Sequence, residues 1–327
     1  MKVFVTGGTG FIGTQFVKRM AQTDHDLYCL CRKTSNVSHL KEAGAKMCVG
    51  DVTDKDSILE GMKGCDWVVN MANIYSFWEP DMKVFTDVNV EGTRNVMESA
   101  LQTGASKVVH LSTLLVYDGP HEGNAFEKDE FFKSLRTEYA RTKYLADSIC
   151  WELFSREGLP LVMVYPAGVL GAGDTKPTGD YIENIAKRKS PVAAFLDSRA
   201  TYVHVQDVAE ATLGALEKPD NIGGKYPVGN YTMTLGELNK MIGDVAGVSP
   251  PKIVLPDSMI RMNAIFTTWL ANVLKKPPIL GICKDSVGNL MDDHFFDGSN
   301  TEKELSFIYT PIRVAVEEKV KEIKEEA

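Results

Sequence analysis

The chain lacks the features that mark membrane-spanning, metal-binding and nucleic-acid-binding proteins. No apolar run reaches the roughly 18 to 20 residues needed to span a bilayer, and no basic segment of an export signal precedes the first predicted strand. The six cysteines include no Cys-x-x-Cys pair, and the six histidines show no metal-ligand spacing. The net charge of −8 predicts no basic surface for a nucleic acid or an anionic membrane. We therefore expect a cytoplasmic protein with reduced thiols and no metal, whose partner is a small molecule and neither a nucleic acid nor a membrane.

What the chain does have is a regular alternation of strand-like and helical segments. With 44% hydrophobic residues in 327, it can bury a sizeable core. The alternation predicts an α/β fold, namely a Rossmann-type doubly wound parallel sheet with helices on both faces. Two long helical crossovers are predicted over Lys83–Thr103 and Thr137–Glu157. The predicted strands are Lys2–Val5, Asp26–Cys31, Lys46–Val49, Trp67–Met71, Lys107–Leu111 and Leu161–Tyr165.

The pattern becomes mixed after Pro166, which predicts a smaller, mostly helical C-terminal lobe that binds substrate. We expect a dinucleotide-binding domain over 1–168, with 202–228 returning to its sheet. The substrate lobe would then comprise 169–201 and 229–327.

Two helix starts in this second half carry the signature of a capping box. Asp207 is followed three residues later by Glu210, and Thr234 by Glu237. We expect Asp207 and Thr234 to be N-caps, with a further strand over Tyr202–Val205.

A glycine-rich turn between the first strand and the first helix predicts a dinucleotide site. Gly7, Gly10 and Gly13 have a Gly-x-x-Gly-x-x-Gly spacing. In such a turn one glycine permits the tight bend, one lets the backbone approach a pyrophosphate, and one lets the helix pack closely on the strand. The residues of this turn that we expect to bind cofactor are Gly7, Thr9, Gly10, Phe11, Ile12 and Gly13.

The end of the second strand favours NADP(H) over NAD(H). Enzymes that select NAD place an acid there to bind the ribose 2′-hydroxyl, whereas a cation there accommodates the 2′-phosphate. Here the strand is followed by Arg32 and Lys33, with no acid. A guanidinium binds phosphate well, so NADP(H) is expected and NAD(H) is the alternative.

Tyr139 and Lys143 lie four residues apart on the predicted helix after the fifth strand, so both project from one face. Reduction of a ketone by hydride requires a proton at oxygen, which a tyrosine can supply. A nearby ammonium favours the phenolate, and Lys143 could also hold the nicotinamide ribose. Ser112 and Thr113, at the end of the fifth strand, are two candidates for a hydroxyl that binds the substrate oxygen.

Taken in order along the whole chain, these motifs resemble the extended short-chain dehydrogenase/reductase family, of the NAD-dependent epimerase/dehydratase type. The motifs are the glycine turn, Gly50-Asp51, Asn89-Val-Glu-Gly-Thr93, Ser112-Thr113, Tyr139-x-x-x-Lys143, Tyr165-Pro166-Ala-Gly-Val169 and Tyr202-Val-His-Val-x-Asp207.

The resemblance implies a role for each matching residue. Tyr139 would be the general acid/base, Lys143 its activator and a ribose ligand, and Thr113 the hydroxyl partner. Family members often dimerise through the two crossover helices, so a homodimer is also expected. The further cofactor contacts that the resemblance implies are Asp51 and Val52 beside the adenine, Ala72 and Ser112, and Pro166 and Val169 near the nicotinamide carboxamide.

Two positions depart from the family pattern. The fourth strand is followed by Asn70-Met71-Ala72-Asn73 where many relatives have His-Leu-Ala-Ala, and Tyr165 replaces a frequent arginine before Pro166. Neither is a proposed catalytic residue, so they affect the choice of substrate more than that of cofactor.

The substrate class rests on aromatic residues and on the C-terminal third. The segments 275–280 and 293–297 resemble the branch that contains dihydroflavonol reductases and 3β-hydroxysteroid dehydrogenases, which implies a bulky, mostly apolar alcohol or ketone. The aromatic residues expected to line its pocket are Tyr75, Trp78, Tyr117 and Tyr181, although buried aromatics often only pack.

Two other functions remain open. A nucleoside-diphosphate-sugar epimerase, dehydratase or reductase would need cations in the second lobe, for which Lys187-Arg188-Lys189, Arg199 and Arg261 are candidates. A dinucleotide-binding regulatory protein without turnover is the third reading, against which the intact set of Thr113, Tyr139 and Lys143 argues.

Overall fold

The computed structural model describes residues 1–117, 135–291 and 293–326; Ala327, the end of the predicted second lobe, lies outside them. The strands are β1 Lys2–Thr6, β2 Asp26–Cys31, β3 Lys46–Val49, β4 Trp67–Asn70, β5 Lys107–Leu111, β6 Leu161–Pro166, β7 Gly168–Leu170, β8 Val192–Ala193, β9 Arg199–His204, β10 Lys225–Val228, β11 Tyr231–Thr234 and β12 Ile253–Val254. The helices are α1 Phe11–Met20, α2 Ser38–Glu42, α3 Lys55–Met62, α4 Lys83–Phe85, α5 Gly92–Thr103, α6 Glu138–Glu157, α7 Pro177–Ala186, α8 Val205–Glu217, α9 Leu235–Ala246, α10 Asp257–Leu274, α11 Lys284–Gly288, α12 Ser299–Leu305 and α13 Ile312–Glu325.

The large sheet has the predicted doubly wound, parallel arrangement. Within the described residues it has seven strands in the order β10-β6-β5-β4-β1-β2-β3, all paired in parallel. Helices α1 and α8 pack on one face and α3, α5 and α6 on the other. Strands such as β5 and β6 are buried along their whole length, as sheets covered on both faces require. This confirms the Rossmann-type fold.

The second lobe is built on two small sheets, ordered β11-β9-β7 and β12-β8, and it has its own apolar core. Strand β9 pairs with β7 and β11, so the early part of the predicted returning segment 202–228 belongs to the small sheet. Helix α8 and strand β10 return to the large sheet, where β10 takes the edge position beside β6.

The two expected capping boxes have different outcomes. Thr234 and Glu237 form the predicted box at the start of α9. Helix α8 begins earlier than predicted, at Val205, because the ring of His204 accepts the first-turn N–H of Gln206. Asp207 therefore lies inside the first turn, where its carboxylate accepts hydrogen bonds from Thr310.

The described residues contain neither a membrane-spanning helix nor a cluster of metal-ligating side chains. None of the helices described is long and apolar enough to cross a membrane. No three His, Cys, Asp or Glu side chains within the same part of the chain are grouped so that they could hold a metal ion.

Candidate active site

The glycine turn is closed by contacts that leave no room for side chains at two of its three glycines. Gly7 has φ of +72°, and a Cβ there would lie 2.5 Å from the carbonyl carbon of Met71. A Cβ at Gly13 would lie 2.1 Å from the carbonyl oxygen of Gly7, so helix α1 packs directly on the turn. At Gly10 a Cβ would meet only the Gly7 oxygen, at 3.3 Å, which leaves the outer side of the turn open to a ligand.

The start of α1 suits a bound pyrophosphate. Its N-cap, Gly10, offers no side chain to the first-turn N–H groups, and the first turn contains no acid. These free donors and the helix dipole favour an anion. Thr9 is half-buried in the turn, Ile12 packs towards the core under the sheet, and the ring of Phe11 lies beside Gly171 in the second lobe. A dinucleotide therefore fits the residues that the sequence predicted here.

Arg32 and Lys33 follow β2 directly, and both are exposed. Sequence reasoning missed His39, which reaches the glycine turn from α2. Its Nε2 lies 3.0 Å from the carbonyl oxygen of Gly8 and 3.5 Å from the hydroxyl of Thr14. The space beyond β2 is thus bordered by two cations and an imidazole.

Other predicted cofactor residues lie at the ends of β3 and β4. The carboxylate of Asp51 accepts hydrogen bonds from the N–H and hydroxyl of Thr53. Val52 is buried, and its carbonyl accepts a hydrogen bond from Asn95. The N–H of Ala72 donates to the hydroxyl of Thr6 over 3.3 Å, which fixes the end of β4 against β1.

Tyr139 and Thr113 meet as predicted. Tyr139, in the first turn of α6, is 7% exposed, and its hydroxyl is hydrogen-bonded to Thr113. Burial raises the pKa of Tyr139, the neighbouring Tyr75 adds to the increase, and the bond to Thr113 opposes it. Nearby positive charge is expected to lower this pKa, but in the protein alone the loss of solvation is the largest contribution and raises it. The phenol is therefore held in its neutral form.

Lys143 lies one turn beyond Tyr139 and is 1% exposed. Its ammonium donates a hydrogen bond of 2.7 Å to the carbonyl oxygen of Leu111, at the end of β5. Burial lowers the pKa of Lys143, whereas the Asp147 carboxyl raises it. The lysine is thus fixed beneath the end of β5, in the position expected for a residue that acts on the cofactor side.

Asp147 is a buried carboxyl that sequence reasoning missed, although it lies one further turn along the same helix. It accepts a hydrogen bond of 2.7 Å from Ser112, and its Oδ1 lies 3.8 Å from Nε2 of His110. Burial raises the pKa of Asp147 to about 7, and Lys143 and Ser112 oppose that increase. The two hydroxyl candidates therefore have different partners. Ser112 donates to Asp147, whereas Thr113 is bonded to Tyr139.

Asn70, one of the positions that depart from the family pattern, lies in the same group of buried polar side chains as His110 and Asp147. Asn70 accepts a hydrogen bond from Thr6 and lies 3.0 Å, through Nδ2, from Nδ1 of His110. Burial lowers the pKa of His110, and Lys143 adds to that effect. A polar chain therefore crosses the sheet from Thr6 on β1 to Asp147 on α6.

The loop after β4 carries Tyr75 into the cleft and is held by Asn89. The Asn89 amide accepts a hydrogen bond from the N–H of Ile74 and donates to Thr142 on α6. Asn89 lies in a π-helical turn, Thr86–Glu91, between α4 and α5. This clamp brings the ring of Tyr75 within 4.9 Å of the ring of Tyr139, at 60°.

The second lobe completes an aromatic wall. The Tyr75 hydroxyl lies 3.3 Å from that of Thr178, and the Tyr181 hydroxyl donates to Asn239 over 2.6 Å. Burial raises the pKa of both Tyr75 and Tyr181 to about 12. Sequence reasoning missed Tyr202 on β9, which is 8% exposed and interacts electrostatically with both tyrosines.

The other two predicted substrate residues lie in different surroundings. The indole of Trp78 donates a hydrogen bond of 2.9 Å to Asn272 on α10, at the rim of the cleft. Tyr117 is completely buried, and its ring packs edge to face against that of Tyr165 at 5.0 Å. The structure therefore places Tyr117 in the hydrophobic core, not on the cleft surface. The replacement of arginine by tyrosine at position 165 extends that core.

The remaining predicted residues can also be placed. Pro166 ends β6 and is buried, and Val169 lies half-buried in β7. Of the cations proposed for a diphosphate, Lys187 and Lys189 form ion pairs with Glu183, and Arg199 lies over the ring of Phe295 at 4.5 Å. Arg261 lies 5.9 Å from the centre of the Phe195 ring.

A comparison with protein-family models settles the family. The model of the NAD dependent epimerase/dehydratase family matches residues 3–229. The chain belongs to this family. It is an NAD(P)-dependent oxidoreductase of the extended short-chain dehydrogenase/reductase type, as its ordered motifs indicate.

Curated members of the family match this chain over nearly its full length. The putative dihydroflavonol 4-reductase of Synechocystis sp. is 26% identical over 97% of this chain and 93% of its own. Cinnamoyl-CoA reductase 1 of Petunia hybrida is 26% identical over 99% of this chain and 92% of its own.

Solved structures show the same fold. The crystal structure of gox2253 superposes with a TM-score of 0.84 at 30% identity, covering 99% of this chain and 98% of the other. UDP-glucuronic acid 4-epimerase from Bacillus cereus, in complex with UDP-glucuronic acid and NAD, has a TM-score of 0.78 at 18% identity and full coverage of both chains. At that identity the likeness shows the fold alone.

Proposed function

We propose that the protein is an NADP(H)-dependent oxidoreductase that interconverts a ketone or aldehyde with an alcohol on a bulky, mostly apolar small molecule. Tyr139 is the general acid/base in this proposal. The observation that carries it is the hydrogen bond between Tyr139 and Thr113 beside an aromatic wall. Two hydroxyls that converge at the end of β5 can bind one carbonyl oxygen.

The glycine turn and the basic end of β2 would hold the cofactor. The open side of Gly10 and the uncapped start of α1 suit the pyrophosphate, and exposed Arg32 and Lys33 suit a 2′-phosphate. When bound, the nicotinamide supplies or accepts a hydride at the substrate carbon. The preference for NADP(H) rests on the two cations and the missing acid.

Tyr139 supplies the proton in the reductive direction. Its phenol O–H donates to the carbonyl oxygen as that oxygen becomes an alkoxide, and Thr113 donates a second hydrogen bond to the same atom. The phenol is protonated near neutrality, as a general acid must be before it donates its proton. In oxidation the same phenol would first have to be deprotonated.

Lys143 acts on both the tyrosine and the cofactor. Its ammonium has three donors, one of which is used on the Leu111 carbonyl. The others can bind the ribose hydroxyls and stabilise a developing phenolate. The Asp147 carboxyl, one turn further, raises the pKa of Lys143 and so opposes the larger lowering by burial.

The aromatic wall supports an apolar substrate. Tyr75 lies against Tyr139, and Tyr181 and Tyr202 lie near it in the second lobe, where Tyr202 is buried. The hydroxyls of Tyr75 and Tyr181 have partners in Thr178 and Asn239. The name of one curated relative, a putative dihydroflavonol 4-reductase, is consistent with an aromatic carbonyl compound. Binding should come from buried apolar area and depend weakly on salt.

The test is a screen in which NADPH absorbance is followed with purified protein and a set of ketones, aldehydes and sugar nucleotides. Oxidation of NADPH by apolar carbonyl compounds supports the proposal. Calorimetry with a nucleoside diphosphate and the NADPH-loaded protein tests the sugar-nucleotide alternative; binding in the micromolar range that weakens with salt would overturn the apolar assignment. A complete lack of turnover on every class would favour the regulatory reading.

A further inference from the structure

Helix α10 has the reverse of the usual amphipathic arrangement. Its buried positions hold the small side chains Ala264, Thr267 and Ala271. Most of its large apolar residues recur at spacings of three, four and seven, which place them on the opposite face of the helix. These solvent-facing residues are Met259 (51% exposed), Met262 (69%), Ile265 (62%), Phe266 (58%), Trp269 (59%), Val273 (60%) and Leu274 (55%).

Neighbouring residues extend this surface at both ends of the helix. Ile253 and Val254 in β12 are 56% and 59% exposed, and Ile279 after the helix is 65% exposed. We call these three residues and the seven of α10 the apolar face. Soluble proteins rarely leave so many large apolar side chains exposed together, so such a surface marks an interaction site.

The segment that carries α10 is opposite in charge sign to the whole chain, and the adjoining loop adds the acids Glu79 and Asp81. Residues 252–284 contain five basic side chains and one acidic one, in a protein with a net charge of −8. All five basic residues are exposed: Lys252, Arg261, Lys275, Lys276 and Lys284. The acid, Asp257, accepts a hydrogen bond from the N–H of Phe195. The expectation from net charge, that no anionic membrane is bound, therefore does not apply to this region.

We propose that the apolar face binds the surface of an anionic lipid bilayer. A helix with Trp, Phe, Ile and Met on one side and cations around it lies in the bilayer interface, with its apolar side chains among the acyl chains and its cations at the phosphates. A second copy of this chain fits less well, because two such faces brought together would also bring together two clusters of five cations.

The apolar face adjoins the mouth of the active-site cleft. Lys275 donates a hydrogen bond to the carbonyl of Pro80, and the thiol of Cys283 donates to that of Phe77. The same loop carries Trp78, bonded to α10 through Asn272, and Tyr75, in contact with Tyr139. A bilayer bound here would lie beside the opening through which an apolar substrate enters. This last consequence rests on the proposed function, whereas lipid binding itself does not.

The experiment is flotation of the purified full chain with vesicles of phosphatidylcholine, with or without about a third phosphatidylglycerol. We expect the protein to float with the anionic vesicles, to float less as salt rises, and to stay at the bottom with phosphatidylcholine alone. Phe266→Ser with Trp269→Ser should weaken binding by about tenfold or more, because both side chains lose apolar burial. Lys276→Gln with Lys284→Gln should weaken it by several fold.

Matched controls test whether the effect belongs to this surface. Ile308 is 85% exposed and lies outside the apolar face, so Ile308→Ser should bind vesicles as the wild type does. Lys18→Gln with Lys41→Gln removes two exposed cations elsewhere and should have little effect. Unchanged melting temperatures would show that each variant is folded.

Three results would overturn the proposal. The first is no binding to anionic vesicles, and the second is wild-type binding by the double variant at Phe266 and Trp269. The third is a dimer, detected by light scattering, that this double variant dissociates, with no vesicle binding by either protein. The two proposals can fail separately. Vesicle binding without carbonyl reduction would contradict the proposed function alone, and reduction without vesicle binding would contradict the lipid site alone.

Discussion

The glycine turn and the aromatic wall of the cleft hold their residues by different kinds of contact. In the turn, backbone meets backbone: a side chain at Gly13 would collide with the carbonyl oxygen of Gly7. In the wall, hydroxyls and rings from distant segments meet, as where Tyr75 contacts Thr178. The turn can change little without loss of the fold, whereas the wall can exchange side chains and so change its ligand. This difference predicts that substitutions in the turn cost more stability than substitutions in the wall.

The largest effect is expected in the turn, from Gly13→Ala. The new Cβ would lie 2.1 Å from the Gly7 oxygen, and the backbone must move to relieve the overlap. We expect a loss of about 3 kcal/mol or more in the free energy of unfolding, measured by urea denaturation. Gly10→Ala is the control, since its Cβ would meet one atom, the Gly7 oxygen, at the longer distance of 3.3 Å, and it should cost less than about 1 kcal/mol. Equal stability of the two variants would contradict the backbone account.

The next largest effect is expected in the candidate active site, from Tyr139→Phe. Loss of the proton donor should lower kcat by about 100-fold or more with little change in NADPH affinity. Tyr75→Phe is the control, because it removes the neighbouring hydroxyl and keeps the ring, and its kcat should fall less than about tenfold. If both variants lose activity equally, Tyr139 acts as part of the wall and not as the acid.

A smaller effect is expected at the cofactor end, from Arg32→Ala. Loss of a charge-assisted hydrogen bond should weaken NADPH binding by about tenfold and leave NADH binding nearly unchanged. Fluorescence titration with both cofactors measures this, with the surface residue Arg313→Ala as control. Equal weakening for the two cofactors, or a wild-type preference for NADH, would show that Arg32 does not select the phosphate.

A pH-dependent effect on stability is expected below the site, from Asp147→Asn. The pKa of Asp147 is raised from 3.8 to about 7, so between these values the folded protein keeps a proton that the unfolded chain has lost. Wild-type stability should therefore fall relative to the variant as pH rises from about 4 to 7, by about 1 kcal/mol or more. Urea denaturation across this range gives the difference. A constant or opposite difference would mean that the folded pKa is not raised.

The sequence predicts the large sheet well because its strands are continuous apolar runs. The strands Asp26–Cys31, Lys46–Val49 and Lys107–Leu111 have the predicted bounds. Strand β9 pairs with β7 and β11 in the small sheet instead of joining the large sheet. Apolar alternation does not specify the partner of a strand, so the sequence does not predict this pairing. The helix start at Val205 was missed because a histidine replaces the usual capping residue.

The candidate site was predictable where its residues are close in the sequence. The three glycines and the pair of Tyr139 and Lys143 depend on spacing within one turn. Asp147 has the same spacing from Lys143 and could have been found by that signal. His39 and Tyr202 could not, since their contacts join segments that are distant along the chain.

Tyr117 and α10 show a second limit of sequence reasoning. An aromatic residue after β5 is expected at the cleft, but the 3₁₀ turn Leu114–Val116 carries Tyr117 into the core. In α10 the large apolar residues lie on the exposed face. An apolar period alone does not tell which side of a helix meets the protein.

The hydrogen bond from Lys143 to the Leu111 carbonyl has a consequence for the entropy of cofactor binding. A free lysine side chain samples many rotamers, and fixing one costs on the order of 1.5 to 2 kcal/mol. Here the rotamer is selected when the chain folds, since the ammonium is already bonded at 2.7 Å and 1% of the residue is exposed. Folding, and not cofactor binding, therefore carries this entropy cost, and in the role proposed for Lys143 the ribose would meet a side chain that is already ordered.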